Sequence, residues 1–378
     1  MDEPILSYRA AWVEVNLAAI EHNTRRLVAL AGDAQVLAIL KANAYGHGAV
    51  PVAHTVLRGG AHWLGVVTLG EALELRRAHI TAPLLVTGYT APADAPLAVE
   101  NDVTLTVFTL DVARALAKAA RARQTRARVH LKVDTGMSRL GVAPDDAVEF
   151  ARAVHALPRL EIEGVYTHLA AADVVNEWGN TFTHNQVARF GAVLDALERA
   201  GIQPRYRHCA NSAALLRFPQ ARFNLVRIGI LLYGLDPDPA VPCPADLVPA
   251  LAFKARVVYV RSIAAGTYVG YAGMFRAPRP MRIAIVSVGY ADGYRRALTN
   301  KGQVLIHGVR APIVGRVAMD QCFVDVTHIA DVRVGDEVVL IGQQGAEQIR
   351  AEEVAEWMGT NNYEVVTTIS ARVERRYL

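Results

Sequence analysis

The stretch AILKANAYGHG, residues 38–48, ends an apolar run on a lysine, Lys41. Lysine is rarely fully buried unless it is paired or chemically used. Further along the chain, similar runs close on other polar groups: Lys132 and Asp134 in VHLKVDT, His168 in EGVYTH, Asn211 and Ser212 after YRHC, and Arg227 and Gly229 in LVRIG. Alternation along a strand puts His130, Lys132 and Asp134 on one face. Taken singly, each has an ordinary reading as a solvated charge or a hydrogen-bonded structural histidine. Two lysines, an arginine, a histidine and a serine-led helix start, gathered at one rim, call for something anionic or carbonyl-like between them. A partly desolvated lysine among other cations has a lowered pKa and becomes a nucleophilic amine, which a Schiff base with an aldehyde requires. The N–H groups of Gly229 and Ile230, with Ser212 in ANSAALL, supply donors where barrels commonly hold a phosphate. A phosphate-bearing aldehyde on a lysine points to pyridoxal phosphate.

These residues need a scaffold that brings strand ends together. Between residues 36 and 235, eight short apolar runs alternate with helical patterns: VLAILK at 36, WLGVVT at 63, LLVTG at 84, LTVF at 105, VHLKVDT at 129, EGVYTH at 163, YRHCAN at 206 and LVRIG at 225. GEALELRRAH at 70, DVARALAKAARAR at 111, PDDAVEFARAVHA at 144 and NQVARFGAVLDALERAG at 185 have apolar residues three and four apart, the helical period. Eight such units predict an α/β fold, an N-terminal (β/α)8 TIM-type barrel whose site lies at the carboxyl ends of the strands. The proline-crowded DPDPAVPCPADLVPA, 236–250, reads as a linker. Beyond it, FKARVVYV, RIAIVSVG, VLIHGV, CFVDVT and DEVVLIG predict a mainly antiparallel β domain, in which AEEVAEWMG at 351 is the one helical pattern. The expected division is an N-terminal strand within 1–15, a cofactor-binding barrel over 16–240 and a β domain over 241–378. AWVEVN at 11–16 reads as a strand able to pair with either domain.

Bulk properties narrow the class. The chain has 378 residues, 52% hydrophobic and 20% charged, which is enough core material for two folded domains and excludes disorder. Its 40 Lys and Arg nearly balance 36 Asp and Glu, and the basic stretch RARQTRARVHLK at 121–132 runs from a helix end into a strand, so no nucleic-acid footprint is expected. Cys209, Cys243 and Cys322 lack metal-ligand or disulfide spacing, and no H-x-H or H-E-x-x-H motif occurs, so no metal is expected. The acidic start MDEPILSYRA is no secretory signal and no apolar run approaches a membrane span, from which a soluble, cytoplasmic protein is expected.

KANAYGHG at 41, KVDTGMSRLG at 132, YTHLAAAD at 166, ANSA at 210, VRIGILLYG at 226, GYADGY at 289, VGRVAMDQ at 314 and NNYEV at 361 resemble, in order, the signatures of the alanine racemase family. The resemblance implies a pyridoxal-phosphate enzyme interconverting L- and D-alanine, a homodimer with shared active sites, which supplies D-alanine for peptidoglycan. By the same resemblance Lys41 holds the cofactor and serves as base on the D face. Tyr271, from the other subunit, serves the L face, and His168 orients it. Arg227 faces the pyridine nitrogen, where a guanidinium, always a donor, cannot keep that nitrogen protonated as a carboxylate would. Tyr45, Ser212, Gly229, Ile230 and Tyr363 resemble the phosphate-binding set. Arg139 and Met319 resemble holders of the substrate carboxylate, with Met319 and Asp320 coming from the partner. Lys132 resembles a lysine that becomes carbamylated and so positions Arg139. Asp173, Arg296, Arg316 and Asp320 resemble an outer gate and Tyr290 an inner one. Two positions depart from the pattern: Ala318 stands where a cysteine is common, which widens the site, and Ser138 where a glycine is common.

Two other pyridoxal-phosphate readings compete. A decarboxylase of the same architecture is expected to place an acid against the pyridine nitrogen, which Arg227 contradicts. A non-catalytic cofactor carrier is expected to be a barrel alone. A metal-dependent barrel hydrolase lacks its ligand spacing.

Overall fold

The computed structural model describes residues 10–378, so of the expected N-terminal segment, residues 1–9 lie outside the described residues. The chain divides into two compact units, one formed by Ala18–Val248 and the other by the N-terminal stretch up to Leu17 with Pro249–Leu378.

In the first unit all eight apolar runs are strands: β2 (Gln35–Ile39), β3 (Trp63–Val66), β4 (Leu84–Val86), β5 (Thr104–Val107), β6 (Ala127–Lys132), β7 (Leu160–Tyr166), β8 (Tyr206–His208) and β9 (Leu225–Ile228), where β1 is Ala11–Val15 of the other unit. They form one parallel sheet in the order β8-β7-β6-β5-β4-β3-β2-β9. Arg227 N–H donates to Ala210 O at 3.0 Å just past β8, which brings the two ends of that order together. Strands covered on both faces read as unbroken apolar runs, and every residue of β3, β4, β5 and β9 is buried. Leu37, Trp63, Leu85, Tyr206 and Leu225 pack together. Three of them are the first residues of their strands, so this apolar plug fills the amino end and leaves the carboxyl end to the polar groups.

The helices follow their periodicity. Leu110–Ala122 buries Val112, Ala113, Leu116, Ala117, Ala119 and Ala120 on one stripe. The helix expected from residue 185 instead spans Glu177–Arg199, because the side chain of Asn176 accepts the Gly179 N–H and starts it two turns earlier. The proline-rich segment is no loose tether. Asn23 Nδ2 donates to Leu232 O (3.1 Å) and Val248 O (2.8 Å), and its Oδ1 accepts the Val248 N–H (2.8 Å), so the unit ends at Val248 and not at residue 240. In the basic stretch at 121–132, Arg123 pairs with Glu100 at 2.8 Å, as a solvated helix end does.

The other unit is mainly antiparallel. A long strand, β10 (Leu251–Ile263), pairs with Met281–Val286, with Glu337–Gln344 and with β1. β1 also lies parallel to Glu374–Tyr377, so AWVEVN pairs within this unit. Besides Ala351–Met358, a second helix forms at Asn362–Thr367, capped by Asn361 accepting the Glu364 N–H; at six residues it is too short to show a period. Among the described residues no helix is long and apolar enough to cross a membrane, and no cluster of three His, Cys, Asp or Glu could hold a metal.

Candidate active site

Lys41 lies two residues past β2, ahead of an unusual turn. Ala42, Asn43, Ala44 and Tyr45 all have φ between 52° and 54°. A left-handed turn of non-glycine residues costs about 1–2 kcal/mol per residue, so its surroundings must impose it. Glu71 Oε1 accepts the Ala42 N–H (2.7 Å) while its other oxygen closes a capping box with Thr68. Asn43 Oδ1 accepts the Ala49 N–H (2.7 Å), and the Tyr45 ring packs on Tyr233 at 5.1 Å. Tyr233 Oη in turn donates to Ile39 O at the end of β2 (3.1 Å). The turn thus brings Lys41 Nζ to 5.9 Å from the centre of the Tyr45 ring. Burial, then the neighbouring Arg139, holds the Lys41 ammonium below its usual pKa, against an upward pull from Glu71.

Tyr45 reaches across to β9. A Cβ on Gly229 would stand 2.4 Å from Tyr45 Oη, so only glycine lets the phenol approach the backbone there. The Gly229 N–H donates to Ser212 Oγ (3.0 Å), and Ser212 begins a helix capped by Asn211. Burial pushes the Tyr45 phenol up, so it stays a neutral donor. Tyr45 Oη, Ser212 Oγ and the backbone of Gly229 and Ile230 therefore form a compact, uncharged set of polar groups cleared of side-chain bulk, with the Gly229 N–H turned to Ser212 Oγ. That chemistry fits a phosphate ester, and with Lys41 beside it, it fits pyridoxal phosphate.

Arg227, buried at the end of β9, organises the rest. Its Nη2 donates to Thr167 O (3.0 Å), Cys209 O (3.0 Å) and His168 Nδ1 (3.1 Å), and its Nη1 to His208 Nδ1 (3.0 Å). Because guanidinium only donates, both imidazoles must accept at Nδ1 and carry their proton on Nε2. Lys132 Nζ lies 4.6 Å from the Tyr166 ring centre and the Arg227 guanidinium 5.2 Å from it, so one ring gathers two cations. Burial, then Arg227 and Arg139, brings the Lys132 pKa down to about 7. Burial, then Arg227, Lys132, Arg139 and Lys41, holds His168 well below its usual value. The rim groups Lys41, Lys132, His168 and Arg227, together with Arg139, thus act on one another electrostatically.

Asp134 has a structural task. Its Oδ1 accepts the N–H groups of Gly136 (2.9 Å) and Met137 (2.8 Å) and its Oδ2 that of Arg139 (3.0 Å), which folds the loop carrying Arg139. In that loop Ser138 has φ 57°, the left-handed region where a glycine would be unstrained. Asp173 is half-buried, four residues ahead of the Glu177 helix. Glu71, Tyr166 and His208 were not singled out from sequence; a buried His at a strand end was the available signal for the last.

Tyr271, Tyr290, Arg296, Arg316, Met319, Asp320 and Tyr363 lie in the other unit. Tyr271 is 69% exposed, between Gly270 (φ 71°) and Ala272 (φ 61°). Tyr290 N–H donates to Ala318 O (3.0 Å) and Ala291 N–H to Met319 O (3.0 Å), so the inner-gate candidate and the Met-Asp pair form one substructure. A Cβ on Gly289 would come within 2.3 Å of Met319 O, so glycine permits that approach. Tyr290 and Arg296 share a cleft of about 730 Å³ with Thr360 and Glu364. Asp320 is ion-paired with Arg372 (2.8 Å), which also holds buried Asp292 (2.9 Å). Arg316 Nε contacts Met274 Sδ at 3.2 Å. Tyr363, half-buried, is on the Asn362–Thr367 helix.

Comparison with known proteins agrees with this layout. Residues 15–237 match the family model described as alanine racemase, N-terminal domain, and residues 250–377 the one described as alanine racemase, C-terminal domain. The chain is 49% identical to an alanine racemase of Desulforamulus reducens over the full length of both. It is 44% identical to one from Methanococcus maripaludis, covering 97% of this chain and 98% of that one. Among solved structures it is similar to alanine racemase from Bacillus anthracis with bound L-Ala-P (42% identity, TM-score 0.92, covering 98% and 95% of the two chains). It is also similar to alanine racemase from D-cycloserine-producing Streptomyces lavendulae (36%, TM-score 0.93, 98% of each chain).

Proposed function

The chain belongs to the alanine racemase family, and from that premise we propose that it interconverts L- and D-alanine with pyridoxal phosphate held on Lys41 and with a tyrosine from a second copy. When bound, that cofactor supplies an electron sink that acidifies the Cα–H of the amino acid. Lys41 Nζ moves a proton on one face of Cα and Tyr271 Oη of the second copy on the other. One proton must leave and another arrive from the far side, so two bases on opposite faces are needed. His168, with its proton on Nε2, donates toward that phenol. Tyr45, Ser212, Gly229, Ile230 and Tyr363 hold the phosphate, Arg139 and the second copy's Met319 the substrate carboxylate. Asp173, Tyr290, Arg296, Arg316 and Asp320 control access. The product D-alanine would serve peptidoglycan in the cytoplasm.

The observation that carries this reading is Arg227. Two backbone carbonyls and two imidazole nitrogens accept from its Nη groups, so it is held as a fixed cation with N–H groups to spare and no capacity to accept a proton. Such a partner keeps a pyridine nitrogen weakly electron-withdrawing, which favours proton return over transamination or loss of carbon dioxide. Incubated in heavy water with either alanine enantiomer, the loaded enzyme is expected to place deuterium at Cα in both enantiomers. Release of carbon dioxide without racemisation would favour the decarboxylase instead.

Lys132 is proposed to carry a carbamate. Carbamylation needs a neutral amine, and with its pKa brought to about 7 by burial and two arginines, Lys132 supplies one near neutral pH. The modification turns a third cation into an anion beside Arg139 and so holds that guanidinium in place. Native mass spectrometry in bicarbonate is expected to show one added carbon dioxide per chain, lost below pH 7 as the amine protonates. Lys132→Ala is expected to raise KM for alanine about tenfold; an unmodified chain with unchanged KM would contradict this role.

A further inference from the structure

The far side of Arg227 leads into a chain of buried side chains that the proposed reaction does not use. Arg227 Nη1 donates to His208 Nδ1 (3.0 Å), His208 Nε2 lies 2.9 Å from His130 Nδ1, and His130 Nε2 faces Glu163 Oε2 at 3.7 Å, longer than a hydrogen bond, both atoms being buried with no hydrogen-bond partner and so left to each other. Both histidines are fully buried and Glu163 is 9% exposed. While Arg227 is bonded to His208, the direction of donation has one solution. Arg227 can only donate, so His208 accepts at Nδ1 and carries its proton on Nε2; that proton goes to His130 Nδ1; His130 then carries its own on Nε2, facing the carboxylate. Neither ring can take a second proton without aiming one N–H at another.

The backbone is shaped for this. In the pairing of β6 with β7, Val129 is opposite Ile162 and His130 opposite Gly164, so Glu163 is the extra residue of a bulge. A bulge breaks strict alternation and re-aims a side chain, here toward His130. A Cβ on Gly164 would stand 2.7 Å from the His130 ring, so that glycine opens the imidazole's slot. Trp63 packs at 5.3 Å from His130, and Tyr166 stacks on His208 at 4.6 Å. Burial, then Arg227, holds His208 well below its usual pKa, and burial lowers His130 against the pull of Glu163, consistent with two neutral rings.

We propose that Glu163 is a positioning residue for Arg227: as the carboxylate facing the buried His130 Nε2–H, it favours His130 and His208 as Nε2–H tautomers bonded to Arg227, so that Arg227 stays fixed as a donor toward the cofactor's ring nitrogen. This rests on the reading that Arg227 faces that nitrogen. Imidazole-15N-labelled protein, measured by two-bond 1H–15N NMR without and with pyridoxal phosphate, is expected to show His130 and His208 neutral with the proton on Nε2. Glu163→Leu leaves the His130 Nε2–H buried with no carboxylate to face, a cost that the reversed relay avoids by giving up the Arg227–His208 bond. It is therefore expected to give mixed tautomers at both rings and to lower kcat about tenfold with KM for alanine unchanged. Glu163→Gln, whose amide oxygen still accepts, is expected to restore both. A proton on Nδ1, or doubly protonated rings, in the unaltered chain would overturn the proposal, as would Glu163→Leu with unchanged tautomers and kcat. If Glu163→Leu does not fold, the unaltered chain and Glu163→Gln decide by the same criteria. The tautomers are read without cofactor, so an unaltered chain with both protons on Nε2 and no racemisation would sink the functional reading alone.

Discussion

Lys41→Ala is expected to abolish alanine racemisation, lowering kcat by about ten-thousandfold or more, because one substitution removes two functions. In the proposed reaction the amine is the covalent anchor for the aldehyde and also the base on one face of Cα. Its environment suits both tasks: burial and Arg139 lower its proton affinity while the Ala42–Tyr45 turn fixes it beside the Tyr45 phenol proposed to hold the phosphate. After borohydride reduction of the unaltered enzyme, the pyridoxyl group is expected on the peptide that contains Lys41. An active Lys41→Ala chain, or an adduct elsewhere, would contradict this assignment.

Tyr271→Phe is expected to lower racemisation about a thousandfold in both directions, since removal of a general acid–base costs on that order and equilibrium ties the two directions together. The two faces separate in an exchange experiment. In heavy water the Tyr271→Phe enzyme is expected to keep washing deuterium into D-alanine, through Lys41, while exchange into L-alanine falls with the racemisation rate. Equal exchange into both enantiomers would remove Tyr271 from its proposed role. The phenol is 69% exposed on its own unit, on a turn whose left-handed residues hold it outward, as suits a group that works in a second copy.

The barrel was legible because its strands are buried on both faces and its helices on one, so apolar runs and helical spacing separate cleanly. The rim was legible because a Lys, His or Arg closing such a run stands out by type alone, as Lys41, Lys132, His168 and Arg227 do. Other features left no such trace. The two alanines of the Ala42–Tyr45 turn give no hint of a positive φ; Glu71, 29 residues further on, and Asn43 within the turn impose it. Glu163 escaped notice because a bulge shifts its parity along β7. Asn361 and Asn176 start helices where the apolar period is absent, and Asn23, more than 200 residues away in sequence, ties down the prolines before Val248.

The central claim is that each active site joins Lys41 of one chain to Tyr271 of another. Mixing subunits tests it most directly: Lys41→Ala and Tyr271→Phe chains, each inactive alone, are co-expressed in equal amounts and the mixture is assayed. Random pairing in a two-fold dimer makes half the dimers mixed, each with one intact site, so about a quarter of the unaltered activity is expected. A mixture no more active than either variant alone would contradict the shared site.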